Sequence, residues 1–304
     1  KIAAPAAVDA ALAQAVRGLL RRLLPLELRD DRLDGWPRPP APERITQPSA
    51  AAWVDDRLVA FLSGPVVDGR AELDLLVDPD VADPVAAAEG LLAAVAEPLT
   101  TAGATSVQLW ARPRAPWHDE LADRLGASPS RALHQMRAPL PVATEPIDSR
   151  PYRAHDDLDA LRRVNNRAFA SHPDQGGQSE ERLLATMAEP WFRAEGLRIH
   201  EDGGRVAGFC WTKIHPARTH PDEPGATSTP LGEIYVIGVD PDFHGRGKGG
   251  PMTAAGLTWL YDQGLTTGML YVEANNEPAV RTYERLGFTI VRTDAAWLVP
   301  TGPR

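Results

Sequence analysis

The chain repeats its own plan, and that repetition limits its architecture more than any other feature. In the first half a β-like run, Arg57-Leu58-Val59-Ala60-Phe61-Leu62, precedes a second run from Glu72 to Val77 that stops at Asp78-Pro79. A helical stretch from Pro84 to about Leu99 follows, then an apolar run from Ser106 to Trp110, then a helix ending in Arg124-Leu125-Gly126-Ala127. The second half gives the same order. Runs at Arg205 to Trp211 and Gly232 to Val239 stop at Asp240-Pro241; a helical stretch covers about Gly249 to Gln263, a run Gly268 to Glu273, and a last helix ends in Arg285-Leu286-Gly287-Phe288. Asp240 follows Asp78 by 162 positions (240 − 78), and Gly287 follows Gly126 by 161 (287 − 126). Arg205 follows Arg57 by only 148 (205 − 57), which fits a Pro/Thr/Ser-rich insertion between Pro216 and Pro230. In each half several strands precede the first long helix. That order predicts an α/β (α+β) fold with a mixed sheet in each of two domains. Pro139, Pro141 and Pro146 interrupt any regular element, so the domains are expected at 1–140 and 150–304.

A chain of 304 residues suits two domains of ordinary size. No apolar run reaches the roughly 20 residues that span a bilayer. The alanine-rich start is broken by Asp9, Gln14 and Arg17, so neither a membrane partner nor a signal peptide is expected. One cysteine, Cys210, excludes an intramolecular disulfide and suits a reducing compartment, with the cytoplasm expected. The net charge of −9 argues against nucleic acid as a partner. An anionic small molecule is still possible, because backbone N–H groups can hold phosphates locally.

The segment Val236 to Gly250 carries that possibility. A β-like run ends at Asp240-Pro241, and His244, Arg246 and Lys248 then alternate with Gly245, Gly247, Gly249 and Gly250 before a helix. Glycine lets backbone N–H groups point inward, and a helix N-terminus adds positive partial charge. The segment reads as a pyrophosphate cradle, with Pro251 near the first helical turn. It is not a P-loop, since no Gly-Lys-Ser/Thr follows. The first half has Asp78-Pro79-Asp80-Val81-Ala82-Asp83 at the equivalent place. Acidic side chains would repel a pyrophosphate there, so this half is expected to carry a degenerate cofactor loop. Arg112, Arg114 and Trp117 read as a solvated strand end.

His244-Gly245-Arg246-Gly247-Lys248-Gly249 resembles the R/Q-x-x-G-x-G/A signature of the GNAT acetyltransferase superfamily, with His in the first place. Asn275 to Phe288 resembles its N-x-x-A-x-x-x-Y-x-x-x-G-F block. Val164 to Gly177, Gly208 to Pro216, Leu231 to Val239 and Leu270 to Glu273, with the tandem plan, are similar to the mycothiol synthase family of actinobacteria. The resemblance is specific over about Val164 to Ala296 and weak in the first half. It implies two tandem GNAT-like domains, each a mixed, mostly antiparallel β-sheet flanked by helices, the second one catalytic. It implies acetyl transfer from acetyl-CoA to the cysteinyl amine of cysteinyl-glucosaminyl-inositol, a small-molecule substrate. It also implies that Ile237, Gly238 and Val239 meet the pantetheine arm and that His244 to Gly250 hold the pyrophosphate. The remainder of the cofactor falls to Asn276, Glu277, Pro278, Ala279, Val280 and Arg281, and the acceptor to Asp174, Lys213, Glu233 and Tyr271. Glu43 is the candidate for an acidic contact from the first half, and Tyr283 for the acid that protonates the leaving thiolate.

The residues themselves allow this chemistry. A carboxylate can take the proton of an attacking amine, which makes Glu233 the candidate base. Strand alternation puts residues 233, 235, 237 and 239 on one face, so Glu233 is expected to look toward the same cleft as the cofactor. Direct attack suffices, and Cys210 reads as a buried strand residue rather than a nucleophile. His215 and His220 lack partners at metal-ligand spacing and read as solvated; no metal is expected. The chain is expected to be a monomer. A GNAT transferase acting on another small amine or a protein N-terminus, and a non-catalytic acyl-CoA-binding module, are the alternatives.

Overall fold

The structure, a computed structural model, describes residues 1–3, 9–23, 47–172, 175–217, 225 and 227–300. Its contacts divide the chain into two compact units. One is Lys1–His134 with Glu273–Asn275 and Arg292–Arg304; the other is Gln135–Val272 with Asn276–Val291.

The first unit contains β1 (Ile2–Ala3), α1 (Ala10–Leu23), β2 (Ser49–Val54), β3 (Arg57–Ser63), β4 (Val66–Val67) and β5 (Arg70–Val77). These are followed by α2 (Pro84–Thr101), β6 (Ser106–Ala111) and α3 (Trp117–Leu125), and β7 (Ser128–Pro139) starts here. β2, β3 and β5 pair antiparallel. Asp55 and Asp56 turn β2 into β3 with both φ angles positive, as a tight hairpin requires. β6 joins β5 in parallel after the α2 crossover. On the other edge of β6 lies the end of β13 (Thr289–Val299), antiparallel from Ala295↔Ala111 to Val299↔Val107. α1 repeats apolar residues at Leu12, Val16, Leu19 and Leu20, a spacing that makes one stripe. That stripe packs on Phe61 and Leu76, while α2 covers the opposite face with Val85, Ala88, Leu91 and Val95.

The second unit repeats this plan, as the duplicated pattern predicts. It holds β8 (Arg150–Pro151), α4 (Ala154–Ala168), α5 (Glu180–Met187), β9 (Leu197–Asp202), β10 (Arg205–His215) and β11 (Leu231–Val239). α6 (Gly249–Asp262), β12 (Thr267–Glu273) and α7 (Glu277–Arg285) complete it. β9, β10 and β11 are antiparallel, and β12 is parallel to β11 after the α6 crossover. α6 buries Met252, Ala255, Leu257 and Leu260 on one face. The opposite face carries α4 and α5 through Leu161, Val164 and Leu183, packed on Phe209, Trp211 and Val236.

Gly256 brings α6 close to the sheet. A Cβ there would stand 2.4 Å from Cys210 Sγ and 3.1 Å from Ile234 Cδ1. Replacing Gly256 by Ala gains about 1 kcal/mol of helix propensity, but the contact cannot relax around a short buried thiol and overpacking costs about 1–3 kcal/mol or more. The clash outweighs the propensity. Gly256→Ala is therefore expected to lower stability in urea unfolding despite its better helix former.

Candidate active site

The site starts from two departures of β11 from a regular strand. β11 pairs with β12 only at Gly232↔Gly268, Glu233↔Met269 and Ile234↔Leu270. Beyond Ile234, β11 runs to Val239 and β12 to Glu273 with no further pairing between them among the described residues. The two strands part there, and the backbone of residues 235–239 is left with polar groups on its β12 side. In the first unit the equivalent pair stays joined for twice as long, from Arg70↔Ser106 to Leu75↔Ala111.

The second departure is a β-bulge. On β10, Trp211 pairs with Val236 but the next residue, Thr212, pairs with Ile234, so Tyr235 is the extra residue. Its effect is visible in the packing. Ile234 and Ile237 pack with the α6 cluster, whereas Tyr235 and Val236, consecutive in sequence, both pack with the α4 and α5 cluster. Alternation is thereby reversed past residue 235. A Cβ on Gly232 would meet Leu260 of α6, while one on Gly238 would meet Phe209 and Ala168 on the other side. The expectation that residues 233, 235, 237 and 239 share a face is overturned: Glu233 and Tyr235 stand on the α4 side, Ile237 and Val239 on the α6 side. The reason is the one extra residue, which the rule of two does not allow for.

On the α6 side lies a cleft of about 350 Å³. Ile237 and Val239 form its strand wall; Phe243, His244, Gly245, Gly247, Lys248 and Gly249 form its loop wall; Thr253, Asn276, Pro278, Ala279, Thr282 and Tyr283 close it. Gly245 and Gly247 adopt φ of +73° and +68°, and a Cβ on either would meet no atom within 4 Å. Their conformation, not crowding, demands glycine, and it leaves their N–H groups open to an anion. The loop is held from outside. Arg167 and Arg205 pair with Asp242 at 2.7 and 2.9 Å, and Arg205 then Arg167 hold the Asp242 carboxyl below its usual range. The His244 imidazole donates to the Val239 carbonyl at 2.8 Å. Lys248 caps α6 with its backbone, while its ammonium turns to Asp202 and to His200 Nε2, each at 3.0 Å. Arg246 lies beside Phe243 and donates to the Asp242 carbonyl.

Asn276 caps α7, its side chain accepting from Ala279 N. Glu277 and Arg281 pair with each other at 2.9 Å on the exposed side of that helix, and Val280 packs toward the α6 cluster. Gly250 lies 3.7 Å, by a Cβ, from Thr282. Phe243, Thr253 and Thr282 line the cleft although sequence reasoning did not single them out; Thr282, beside Tyr283 and one turn beyond Ala279, was the legible one. Tyr283 is buried, and burial first, then the nearby Cys210, raises its phenol well above the usual range. It keeps its proton at any working pH.

On the α4 side Glu233 is 4 % exposed. Lys213 is its register partner on β10, with its ammonium 5.2 Å from the Trp191 ring centroid. Leu270 and Val272 of β12 pack with α6, so Tyr271 between them stands on the Glu233 side; its hydroxyl accepts from Gln135 Nε2 at 2.7 Å. Glu233, Lys213 and Tyr271 thus share one face of one sheet. His215, expected to be solvated, is buried and its Nε2 lies 2.8 Å from Glu233 Oε2. A neighbouring cavity of about 340 Å³ is lined by Asn165, Gln175, Gln178, Arg182 and Thr186 against Phe209, Trp211, Tyr235 and Val236. Asp174, Glu43 and His220 lie outside the described residues. In the first unit Arg112 is not a solvated strand end: it pairs with Asp74 at 2.7 Å and lies over Trp110. Arg114 is exposed and pairs with Asp119, and Trp117 stacks on His118. At the loop equivalent to the cradle, Asp83 caps α2, accepting from Ala86 N. Among the described residues no cluster of His, Cys, Asp or Glu could hold a metal, and no helix is long and apolar enough to cross a membrane.

A parallel strand pair that opens beside a glycine cradle at a helix N-terminus is the geometry of a GNAT-type acyltransferase. The Acetyltransferase (GNAT) family model matches residues 158–288. The chain has the fold of a GCN5-related N-acetyltransferase from Sphaerobacter thermophilus (TM-score 0.71, 18 % identity, 100 % of this chain and 96 % of that one). It also has that of a tandem GNAT protein from the clavulanic acid biosynthesis pathway (TM-score 0.66, 17 % identity, 100 % and 99 %). Mycothiol acetyltransferases of Acidimicrobium ferrooxidans and Rhodococcus jostii are 41 % and 38 % identical to it, over 75 % and 80 % of this chain and 74 % and 79 % of theirs. The chain belongs to the mycothiol acetyltransferase family and is an acetyl-transferring enzyme.

Cys210 is wholly buried under α6, and burial pushes its thiol up to about 12. At pH 8 the thiol therefore stays protonated and the reactive thiolate is scarce. The native enzyme is expected to resist a disulfide thiol probe at pH 8, and to react with one equivalent once unfolded.

Proposed function

We propose that the second unit transfers an acetyl group from acetyl-CoA directly to the cysteinyl amine of cysteinyl-glucosaminyl-inositol. The observation that carries this reading is the parting of β11 and β12 between two differently furnished faces. The α6 face offers a cradle for a pyrophosphate: Gly245 and Gly247 with open N–H groups, and the N-terminus of α6. The α4 face offers a carboxylate, an ammonium and a phenol, in Glu233, Lys213 and Tyr271. The opening between the strands is where the two could meet.

Acetyl-CoA, when bound, supplies an electrophilic thioester carbonyl and a thiolate that can leave. Residues 237–239 would hold its arm by strand-like hydrogen bonds, and a backbone N–H in that segment would polarise the carbonyl. The acceptor arrives as an ammonium. Glu233 takes one proton from it, directly or through a water, and the neutral nitrogen then forms the C–N bond as the C–S bond breaks. The joined nitrogen sheds its second proton to water, Tyr283 gives its own proton to the departing sulfur and recovers one from solvent, and Glu233 releases the one it took. The balance is one amide, one free coenzyme A thiol and one proton. Lys213 and Tyr271 suit the sugar and inositol hydroxyls, and the amide-rich cavity behind Tyr235 is built from groups of the same kind.

The first unit is proposed to support the fold without holding acetyl-CoA. Its parallel strands stay paired through Leu75, and the carboxylate of Asp83 already occupies the N-terminus of α2.

Turnover of acetyl-CoA with cysteinyl-glucosaminyl-inositol, beside the precursor lacking cysteine and a panel of simple amines, tests the reading. Acetylation confined to the cysteinyl compound is expected. Glu233→Gln should lower kcat by about 10²-fold or more, and Tyr283→Phe by about 10-fold or more, with coenzyme A affinity preserved in both. Coenzyme A binding without turnover of that compound would move the acceptor assignment to another amine.

A further inference from the structure

His215 closes β10, two residues after Lys213, and its imidazole Nε2 stands 2.8 Å from Glu233 Oε2. The two side chains are 8 % and 5 % exposed. A carboxylate withdrawn from water this far needs donors to remain ionised. Glu233 sits between β10 and β12, opposite Lys213 on one and Met269 on the other.

We infer that His215 is a positioning residue for the base: its Nε2–H donates to Glu233, fixes the carboxylate's orientation, and keeps it ionised for the incoming ammonium. The inference rests on Glu233 acting as the base. Other groups also face Glu233. β10 contributes Lys213, β11 itself Tyr235, and β12 Tyr271, which leads through Gln135 to Arg137 on β7. Trp191, after α5, stands over Lys213, and Arg182 of α5 lines the adjoining cavity. Among these, histidine is the side-chain type whose charge changes between pH 5 and 8. His215 is both buried and directly bonded to the Glu233 carboxylate.

The test is the pH dependence of kcat at saturating concentrations of both substrates, for the full-length wild type, His215→Ala, His215→Gln and Glu233→Gln, with thermal unfolding of each. Glutamine can donate from a similar place but cannot titrate. In His215→Ala, kcat should fall by about 10-fold or more with KM for acetyl-CoA unchanged. Its acidic limb should move to higher pH, because the charged carboxylate has lost a donor that favoured it. His215→Gln should bring kcat back to within about 3-fold of wild type and return the limb. An unmoved limb in a folded Ala variant would overturn the assignment. So would a folded Gln variant that loses more than about 10-fold, a result that stands even if the Ala variant does not fold. An active Glu233→Gln enzyme would instead remove the base itself, a distinct outcome. If the pair acts as one, His215→Ala should slow Glu233→Gln no further.

Discussion

Everything at this site depends on one strand pair letting go. Three residues of β11 pair with β12, the five that follow them do not, and two of those five, Ile237 and Val239, form the strand wall of the cleft. A sheet normally satisfies its own backbone groups, so an unpaired central strand edge is costly unless something else bonds to it. In the second unit the strands open where a glycine loop and a helix N-terminus face the gap; in the first they stay joined for three more residues and the helix N-terminus caps itself. The same plan thus gives an opened strand pair beside a cleft in one unit and a longer-paired one in the other.

The bulge at Tyr235 gives the opening two chemically different sides. Without it, Glu233 and Ile237 would point the same way, and the proposed base and the cleft would lie on one face. With it, the strand presents a buried carboxylate to the α4 side and apolar walls to the α6 side within four residues. Tyr283 and Cys210 on the α6 side are buried, and burial raises both groups so that each is protonated in the resting enzyme. On the α4 side the polar groups hold one another: Glu233 with His215, Tyr271 with Gln135.

Much of this was legible in the residue order. The duplicated strand–helix plan and the turn glycines Gly245 and Gly247 follow from local chemistry that short segments carry by themselves. What stayed hidden depends on pairing across strands. The bulge is a register fact, so alternation along β11 alone predicts the wrong face for residues past Tyr235. His215 finds its partner 18 residues away on the next strand, and nothing in its flanking prolines announces that. Glu277 and Arg281 sit in the matching motif but pair with each other four residues apart. The return of Arg292–Arg304 to the first unit is a long-range choice with no local sign.

The most direct test of the central claim is amide hydrogen exchange with and without coenzyme A. Protection confined to residues 235–250 and 276–283, with 72–86 unchanged, is the predicted result. Protection of 72–86, or none across 235–239, would contradict the view that the opened strand pair of the second unit alone makes the cofactor site.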